Sequence, residues 1–432
     1  MARAVKKGPR QPHTDVTQLP SGLRVVTERV PAALSVAAGG WVGVGARDEP
    51  DELSGVSHFL EHLLFKGTEA RSARDIASAV DRVGGDINAF TAKEYTAYYS
   101  RVPAEHLPLA VELLGDVLIA PALRDGDVDN ERQVILEELA MDDDLPEDVA
   151  HRLLAEALFP DHPLGRETAG SAESVEAITA DDVREFFGRW YRPSAMVVAV
   201  AGAVDHDDVV AEVEQRFPAA DPAPSPARVA PHADPQPIVV DRRRSEQAQV
   251  ALGFRGLARL DADREALDVT NHILGGGLSS RLFEEIREQR GLAYAVGSGT
   301  SSYADAGALT IAAGTGPGQV PEVLRLIDVE LDKLRAGGIT PEELDVAVGY
   351  LTGAYVMGLE DTGSRMARLG ALLTTTGAVR PVAEQVERWR AVTAADVERV
   401  IERVLDRPRS LAVVGPVSEA AVRGRRRTAR PA

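Results

Sequence analysis

A long internal repeat is the feature that most constrains how this chain folds. The segment ITADDVREFFGRWYRPSAMVVAVAGAV, which begins at Ile178, matches VTAADVERVIERVLDRPRSLAVVGPV, which begins at Val392. Each copy reads as a capped helix, an Arg-Pro break and an apolar strand that ends at a glycine. A repeat at this distance predicts two duplicated domains of similar fold.

A proline-rich segment separates the two copies. Residues 218–237 read PAADPAPSPARVAPHADPQP, and this density of proline excludes helix and sheet interiors and favours an extended connector. We therefore expect an N-terminal domain at 13–217, a linker at 218–237 and a C-terminal domain at 238–421. The basic ends, residues 1–12 and 422–432, are predicted to be disordered tails.

The segments inside each domain predict an α+β fold. Stretches such as LRVVTERV, LSVAAGGWVGVGA and GALTIAAGT read as strands, and several strands follow one another without a helix between them. Helical periodicity marks other segments, among them residues 107–119, 127–141 and 341–359. We expect each domain to be a mainly antiparallel sheet packed with helices.

Composition limits both the chemistry and the partners. The chain has no cysteine, so any metal must be bound by His, Asp or Glu. Its formal net charge is −19 although both tails are basic, which disfavours nucleic acid and favours cationic ligands. No stretch has the roughly 18 uninterrupted apolar residues of a membrane span, and no apolar segment follows the N-terminal basic residues. We therefore expect a cytoplasmic protein that does not bind membranes.

The stretch GVSHFLEHLLFKGT carries the strongest chemical signal. On a helix that begins near residue 54, His58 and His62 stand four residues apart and project from one face. This spacing suits a zinc ion, and Glu61 lies one residue off that axis, where a carboxylate reaches a water without binding the metal. HFLEH is the H-x-x-E-H arrangement of zinc hydrolases.

The alternative is that these three residues are ordinary surface or cap residues of an amphipathic helix. Apolar residues surround them in the sequence, and burying them without partners would cost several kcal/mol. A zinc ion with three protein ligands and one open position resolves this conflict most simply.

A third ligand is predicted in the segment DNERQVILEELAMD. If it is helical, Glu138 and Glu131 lie within the arc of its apolar residues, roughly 20° apart, while Glu137 points away. Arg132 and Asp142 also fall inside that arc, so the pattern favours Glu138 and Glu131 without proving either. The alternative is a solvated acidic helix end.

The second half of the chain contains an arginine and a tyrosine seven residues apart. SSRLFEEIREQRGLAYAVGSG reads as a helix that Gly291 stops, followed by a strand that presents Tyr294. Taken alone, Arg287 is typical of a helix surface and Tyr294 of sheet packing.

These motifs resemble the pitrilysin family of zinc peptidases, the inverzincins, which includes mitochondrial processing peptidase and insulin-degrading enzyme. The resemblance rests on HFLEHLLFKGT followed by ERQVILEEL and covers nearly the whole chain. It implies that His58, His62 and Glu138 bind one zinc ion per chain and that Glu61 is the general base. It also implies that Glu131 supports the metal ligands without itself binding the ion.

The same resemblance assigns substrate contacts. It implies that Tyr294 polarises the scissile carbonyl oxygen and that Arg287 anchors the peptide. Phe65 resembles the aromatic residue of the pocket just past the cleaved bond, although an apolar helix residue is equally suited to the core. GGDINAFTAKEYTAYY resembles the family's substrate-binding edge strand. The candidate residues on it are Asn88, Ala89, Phe90 and Thr91.

The resemblance thus implies a zinc metalloendopeptidase that hydrolyses peptides or unfolded segments, including basic ones, inside a closed chamber. Relatives of this length pair two chains or fuse two such chains, so we expect a homodimer or a heterodimer with a related subunit. The alternative is a noncatalytic peptide-binding or structural relative that works with a partner subunit. Such relatives typically have broken zinc motifs, whereas HFLEH and Glu138 are intact here.

Overall fold

The computed structural model describes residues 13–423, and each repeated half contributes one β-sheet. Most strands occur where alternating apolar residues predict them, and β10 occupies the predicted segment without any shift. The N-terminal sheet consists of β1 (His13–Gln18), β2 (Arg24–Arg29), β3 (Ser35–Val42), β4 (Asp86–Thr91), β5 (Thr96–Pro103) and β6 (Met196–Gly202). The C-terminal sheet consists of β7 (Val239–Asp241), β8 (Ala248–Arg255), β9 (Ala293–Ser302), β10 (Gly307–Thr315) and β11 (Arg409–Val414).

Among the described strands, β1 has no counterpart in the C-terminal sheet, and the other strands of the two sheets share one topology. This agreement confirms the predicted duplication and the α+β class. Over the described residues the strand orders are β1-β2-β6-β3-β5-β4 and β7-β11-β8-β10-β9. In each sheet one pair is parallel, β2 with β6 and β7 with β11, and the other pairs are antiparallel. Consequently β4 and β9 occupy equivalent positions, each at an edge of its sheet.

Helices connect the strands and cover the sheets. In the N-terminal half they are α1 (Val56–Leu64), α2 (Ala73–Asp81), α3 (Leu107–Ile119), α4 (Asp125–Asp144), α5 (Pro146–Leu158), α6 (Ala172–Ala177), α7 (Ala180–Trp190) and α8 (His206–Arg216). In the C-terminal half they are α9 (Arg264–Asn271), α10 (Val320–Gly337), α11 (Pro341–Gly358), α12 (Thr362–Thr376), α13 (Val382–Arg390), α14 (Ala394–Leu405) and α15 (Glu419–Arg423). Short π-helical segments follow α9 at His272–Gly276 and precede β9 at Phe283–Glu288.

The chain forms two compact units, and each contains a segment from the other half of the sequence. The first unit comprises the residues up to Val134, Thr168–Pro226 and Gly358–Val379. The second comprises Ile135–Glu167, Ala227–Met357 and the residues from Arg380 onward. Helix α12 therefore packs on β3 and β6 of the N-terminal sheet, whereas α5 packs on β8 and β11 of the C-terminal sheet.

Ion pairs and a glycine hold α12 against its sheet. Arg365 and Arg368 both pair with Glu28, which is buried on β2. A β-carbon on Gly370 would lie 2.3 Å from atoms of the Trp41 ring, so the missing side chain allows the helix to approach that ring closely.

Small sheet residues provide the equivalent fit for α5 in the second unit. A β-carbon on Gly253 would lie 2.7 Å from Leu158 Cδ1, and Leu154 and Leu158 are buried against Ala251 and Ala412. Close packing of this kind makes the position of each helix sensitive to single methyl groups.

The linker has contacts but no regular structure. In the described part of the chain, no helix or strand lies between Arg216 and Val239. The backbone N–H of Gln236 donates to the Ala157 carbonyl at 2.7 Å. The predicted tails at 1–12 and 422–432 lie outside the described residues, apart from 422 and 423, which end α15. Among residues 13–423, the helices are all too short or too polar to cross a membrane.

Candidate metal centre

A buried carboxylate fixes the start of the helix that carries the histidines. Helix α1 begins after Gly55, whose φ of +99° lies in the left-handed region. The Glu49 side chain is 5% exposed and accepts the backbone N–H groups of Gly55 at 2.8 Å and Ser57 at 2.7 Å. This carboxylate satisfies donors at the helix N-terminus and also suits the positive end of the helix dipole. No sequence pattern marked Glu49 for this role.

The two motif histidines lie side by side on one face of α1. Their ring centroids are 4.7 Å apart in an edge-on arrangement, and both side chains are half-buried. Burial, with a smaller contribution from the charge of His62, lowers the pKa of His58 to about 4. His58 is therefore neutral at pH 7, and its ring offers a lone pair for a metal ion.

The two predicted glutamates of α4 are less exposed than their neighbour Glu137. Glu131 is buried and Glu138 is half-buried, whereas Glu137 is exposed. Val134, an apolar residue of the same helix, is 43% exposed. The helix itself is longer than predicted and runs from Asp125 to Asp144.

The contacts of Arg132 show how a charged residue is stabilised on the inner face of α4. Its guanidinium lies 5.6 Å from the centre of the Phe59 ring and donates to the carbonyls of Val175 at 2.6 Å and Ile178 at 2.7 Å. The arginine thus fixes α4 beside α1 through hydrogen bonds to backbone carbonyls and a cation–π contact.

His58, His62 and Glu138 form a group whose chemistry fits a zinc ion. One ligand atom from each residue lies within 4.8 Å of the other two. Two imidazole nitrogens and one carboxylate oxygen are the donor set of a catalytic zinc site, in which the fourth position stays open. A tetrahedral ion with ligands at about 2.1 Å places its ligand atoms roughly 3.4 Å apart. The three atoms would therefore have to draw together by up to roughly 1.4 Å to bind a single ion.

Glu131 supports this group through His62. Its Oε2 atom lies 3.1 Å from His62 Nδ1, and its Oε1 atom lies 2.6 Å from Lys66 Nζ. A carboxylate on Nδ1 orients the ring and leaves Nε2 for a metal ion. Lys66 lies in the turn that follows α1, and no sequence pattern marked it for this role.

Glu61 lies next to the last residue of the edge strand. Thr91 Oγ1 donates to Glu61 Oε2 at 2.6 Å. Nearby, the hydroxyls of Tyr98 and Tyr191 are 2.9 Å apart and fully buried. Burial is the main cause of the raised pKa of both phenols, and the negative charge of Glu61 adds to it. Both tyrosines therefore stay protonated. The ring of Phe65 packs edge-on against Tyr98 with centroids 6.0 Å apart.

Strand β4 has the position and alternation of a peptide-binding edge strand. Within the described chain it pairs with β5 and with no second strand. Asn88 and Phe90 are exposed, whereas Ala89 and Thr91 are half-buried. The backbone N–H of Ala89 donates to the side-chain oxygen of Asn88 at 2.8 Å, and the Phe90 ring lies 5.8 Å from that of Tyr95.

The second unit brings Arg287 and Tyr294 into contact with each other. Arg287 lies on the π-helical segment Phe283–Glu288, and its guanidinium is 5.1 Å from the Tyr294 ring centre. Tyr294 is on the edge strand β9 and is 79% exposed. Gly291, with φ of +60°, ends the helical segment as predicted. Both residues line a cavity of about 800 Å³, together with residues of α5, β8 and β10.

Solved structures show the same fold. A protease from Helicobacter pylori superposes with a TM-score of 0.86 at 24% identity, over 94% of this chain and 100% of that one. A peptidase M16 inactive domain from Pseudomonas fluorescens superposes with a TM-score of 0.87 at 22% identity, over 94% and 98%. These two superpositions cover nearly the whole chain and show that it has the fold of both structures.

Sequence comparisons identify the family. The Insulinase (Peptidase family M16) model matches residues 24–172, and the Peptidase M16 inactive domain model matches residues 177–351. An uncharacterized zinc protease of Streptomyces coelicolor is 48% identical, over 93% of this chain and 90% of its own. An uncharacterized zinc protease of Bacillus subtilis is 36% identical, over 92% of this chain and 97% of its own. The chain belongs to peptidase family M16, which confirms the resemblance seen in its motifs.

Proposed function

We propose that this protein is a zinc metalloendopeptidase that hydrolyses peptides or unfolded segments. The observation that carries this proposal is the group of His58, His62 and Glu138, with Glu61 on the same helix as the two histidines. The names of the relatives as zinc proteases support it. In this proposal the three grouped residues hold one zinc ion per chain.

Glu61 performs the proton transfers. A bound zinc ion supplies a Lewis acid and makes water acidic enough to act as a nucleophile near neutral pH. Glu61 removes a proton from the attacking water and delivers it to the nitrogen of the departing amine. Thr91 Oγ1 donates a hydrogen bond to Oε2 of the same carboxylate.

The substrate is held as an extended strand. A peptide that adds to the free edge of β4 forms backbone hydrogen bonds independent of its sequence, with Asn88, Ala89 and Phe90 alongside it. Phe65 contacts the side chain just past the cleaved bond. Tyr294 donates a hydrogen bond to the carbonyl oxygen as negative charge develops there, and Arg287 anchors the chain.

Size rather than sequence selects the substrates in this proposal. A chamber closed by a second copy of this chain, or by a related subunit, admits peptides and unfolded segments. The excess of acidic residues in the chain favours peptides that carry basic residues. The dimer and the cytoplasmic location stay predictions.

A noncatalytic role is the second candidate function. It is favoured by the description of the model that matches residues 177–351, an inactive domain. That segment, however, begins after HFLEH and after Glu138, which lie in the part matched by the Insulinase model. The group of His58, His62 and Glu138 therefore favours the enzyme.

A peptide digest tests the proposed function directly. Metal-replete protein is incubated with peptides of graded length and with a folded protein, with and without a chelator, and the products are mapped by mass spectrometry. We expect cleavage of the peptides alone, loss of cleavage with the chelator and recovery on adding zinc. Zinc-loaded protein that binds peptides without cleaving them would instead establish the noncatalytic role.

Replacing Glu131 tests the support of the metal ligands. We expect Glu131→Gln to weaken zinc binding by about 10–100-fold, because an amide is a weaker acceptor for the His62 ring and does not pair with Lys66. Competition with a chromophoric chelator measures the affinity. Asp129→Asn is the matched control, since Asp129 is an exposed carboxylate on the same helix. An affinity equal to that of the wild type would remove Glu131 from the site.

A further inference from the structure

A threonine hydroxyl contacts the residue that the proposed function makes the general base. Thr91 Oγ1 and Glu61 Oε2 are 2.6 Å apart, which is typical of a strong hydrogen bond from a hydroxyl to a carboxylate. The two residues come from different elements, the end of β4 and the middle of α1. Both side chains are half-buried, so the bond is only partly exposed to competition from solvent.

The hydroxyl restricts a side chain that is otherwise free to rotate. A glutamate carboxylate has several rotatable bonds, and a donor on one of its oxygens selects one orientation. Threonine suits this role because its β-branched side chain strongly prefers few rotamers. Catalytic groups require such placement, since an error of about 1 Å can cost roughly 100-fold in rate.

The backbone that carries Thr91 is itself firmly held. The turn after β4 is bound to the loop before α1 by two backbone hydrogen bonds, from Ala46 to Ala92 at 3.1 Å and from Arg47 to Lys93 at 2.7 Å. Arg47 and Glu94 form a buried ion pair of 2.7 Å between the same two segments. These contacts fix where β4 ends, and therefore where its last hydroxyl lies.

We propose that Thr91 is a positioning residue that orients the Glu61 carboxylate for proton transfer and joins the edge strand to the general base. This inference rests on the proposed function. It also gives the residues of β4 different roles. Asn88 and Phe90 lie on the exposed face of the strand, while the Thr91 side chain is directed at α1. Thr91 acts on the reaction through Glu61 rather than on the substrate.

Two substitutions separate the hydroxyl from the rest of the side chain. Thr91→Val keeps the shape and the β-branch but removes the donor, whereas Thr91→Ser keeps the donor and removes a methyl group. We expect kcat to fall about tenfold or more in Thr91→Val, with KM within about twofold of the wild type, and Thr91→Ser to retain most of the activity. Zinc content and melting temperature are measured for both, because a merely structural role would change them.

Thr14→Val is the matched control, since it makes the same change on β1 of the same unit. The proposal is overturned if Thr91→Val keeps the wild-type kcat, if both Thr91 variants lose activity equally, or if KM alone rises. If Thr91→Val does not fold, Thr91→Ala is compared with Thr91→Ser instead, because these two variants differ mainly by one oxygen atom. If the wild-type protein cleaves no peptide, the proposed function itself is wrong, and so is the role of Thr91 that rests on it.

Discussion

Glu61→Gln is expected to bind zinc as tightly as the wild type and to lose peptide cleavage by about 10²–10⁴-fold. The amide oxygen of glutamine still accepts the hydrogen bond from Thr91, so the side chain keeps its place. It does not take a proton from water near neutral pH, and the proton transfer is lost. Elemental analysis gives the zinc content, and a discontinuous peptide assay gives kcat and KM on the same sample.

A control separates this effect from a general change of charge. Glu69→Gln removes one negative charge from an exposed side chain a short distance after α1, and we expect it to leave kcat unchanged. If Glu61→Gln also cleaved peptides at the wild-type rate, Glu61 would not be the general base. Loss of zinc from Glu61→Gln would instead make Glu61 part of the metal site.

Local periodicity explains why the core of the site could be predicted. An α-helix places residues i and i+4 on one face, so the spacing of His58 and His62 determines their proximity. The same periodicity distinguished Glu138 from its exposed neighbour Glu137. These predictions depend on one helix at a time, and they required no knowledge of tertiary packing.

Contacts between distant segments account for what the sequence did not reveal. Glu49 stabilises α1 from the loop before it, and a threonine in a strand reads as ordinary β-propensity until Glu61 is placed beside it. Val134 is apolar yet exposed, because an apolar residue on a helix is buried only where another element covers it.

The exchange of helices between units is hidden for the same reason. Helices α5 and α12 each pack on the sheet formed by the other half of the chain, but an amphipathic pattern does not specify which sheet covers it. Strand β1 was missed because its sequence, HTDVTQ, is polar and largely exposed. Its pairing with β2 rather than its own composition makes it a strand.

A pair of adjacent substitutions on α4 tests the metal site most severely. We expect Glu138→Gln to lose zinc. Its zinc affinity should fall by more than the about 10–100-fold that the loss of a supporting residue costs, and peptide cleavage should fall with it. Glu137→Gln makes the same chemical change one residue earlier, on an exposed side chain, and is expected to retain one zinc ion per chain and full activity. Elemental analysis after dialysis and a chelator competition measure both variants.

The comparison is informative because helix geometry turns two adjacent residues about 100° apart. A carboxylate at 137 therefore cannot replace one at 138 without rotating α4, and that helix is held by Arg132 on two backbone carbonyls. If Glu137→Gln released the metal while Glu138→Gln kept it, α4 would present a different face to the histidines. Equal zinc content in both variants, with activity intact, would remove α4 from the ligand set and leave His58 and His62 to bind the ion with some other donor.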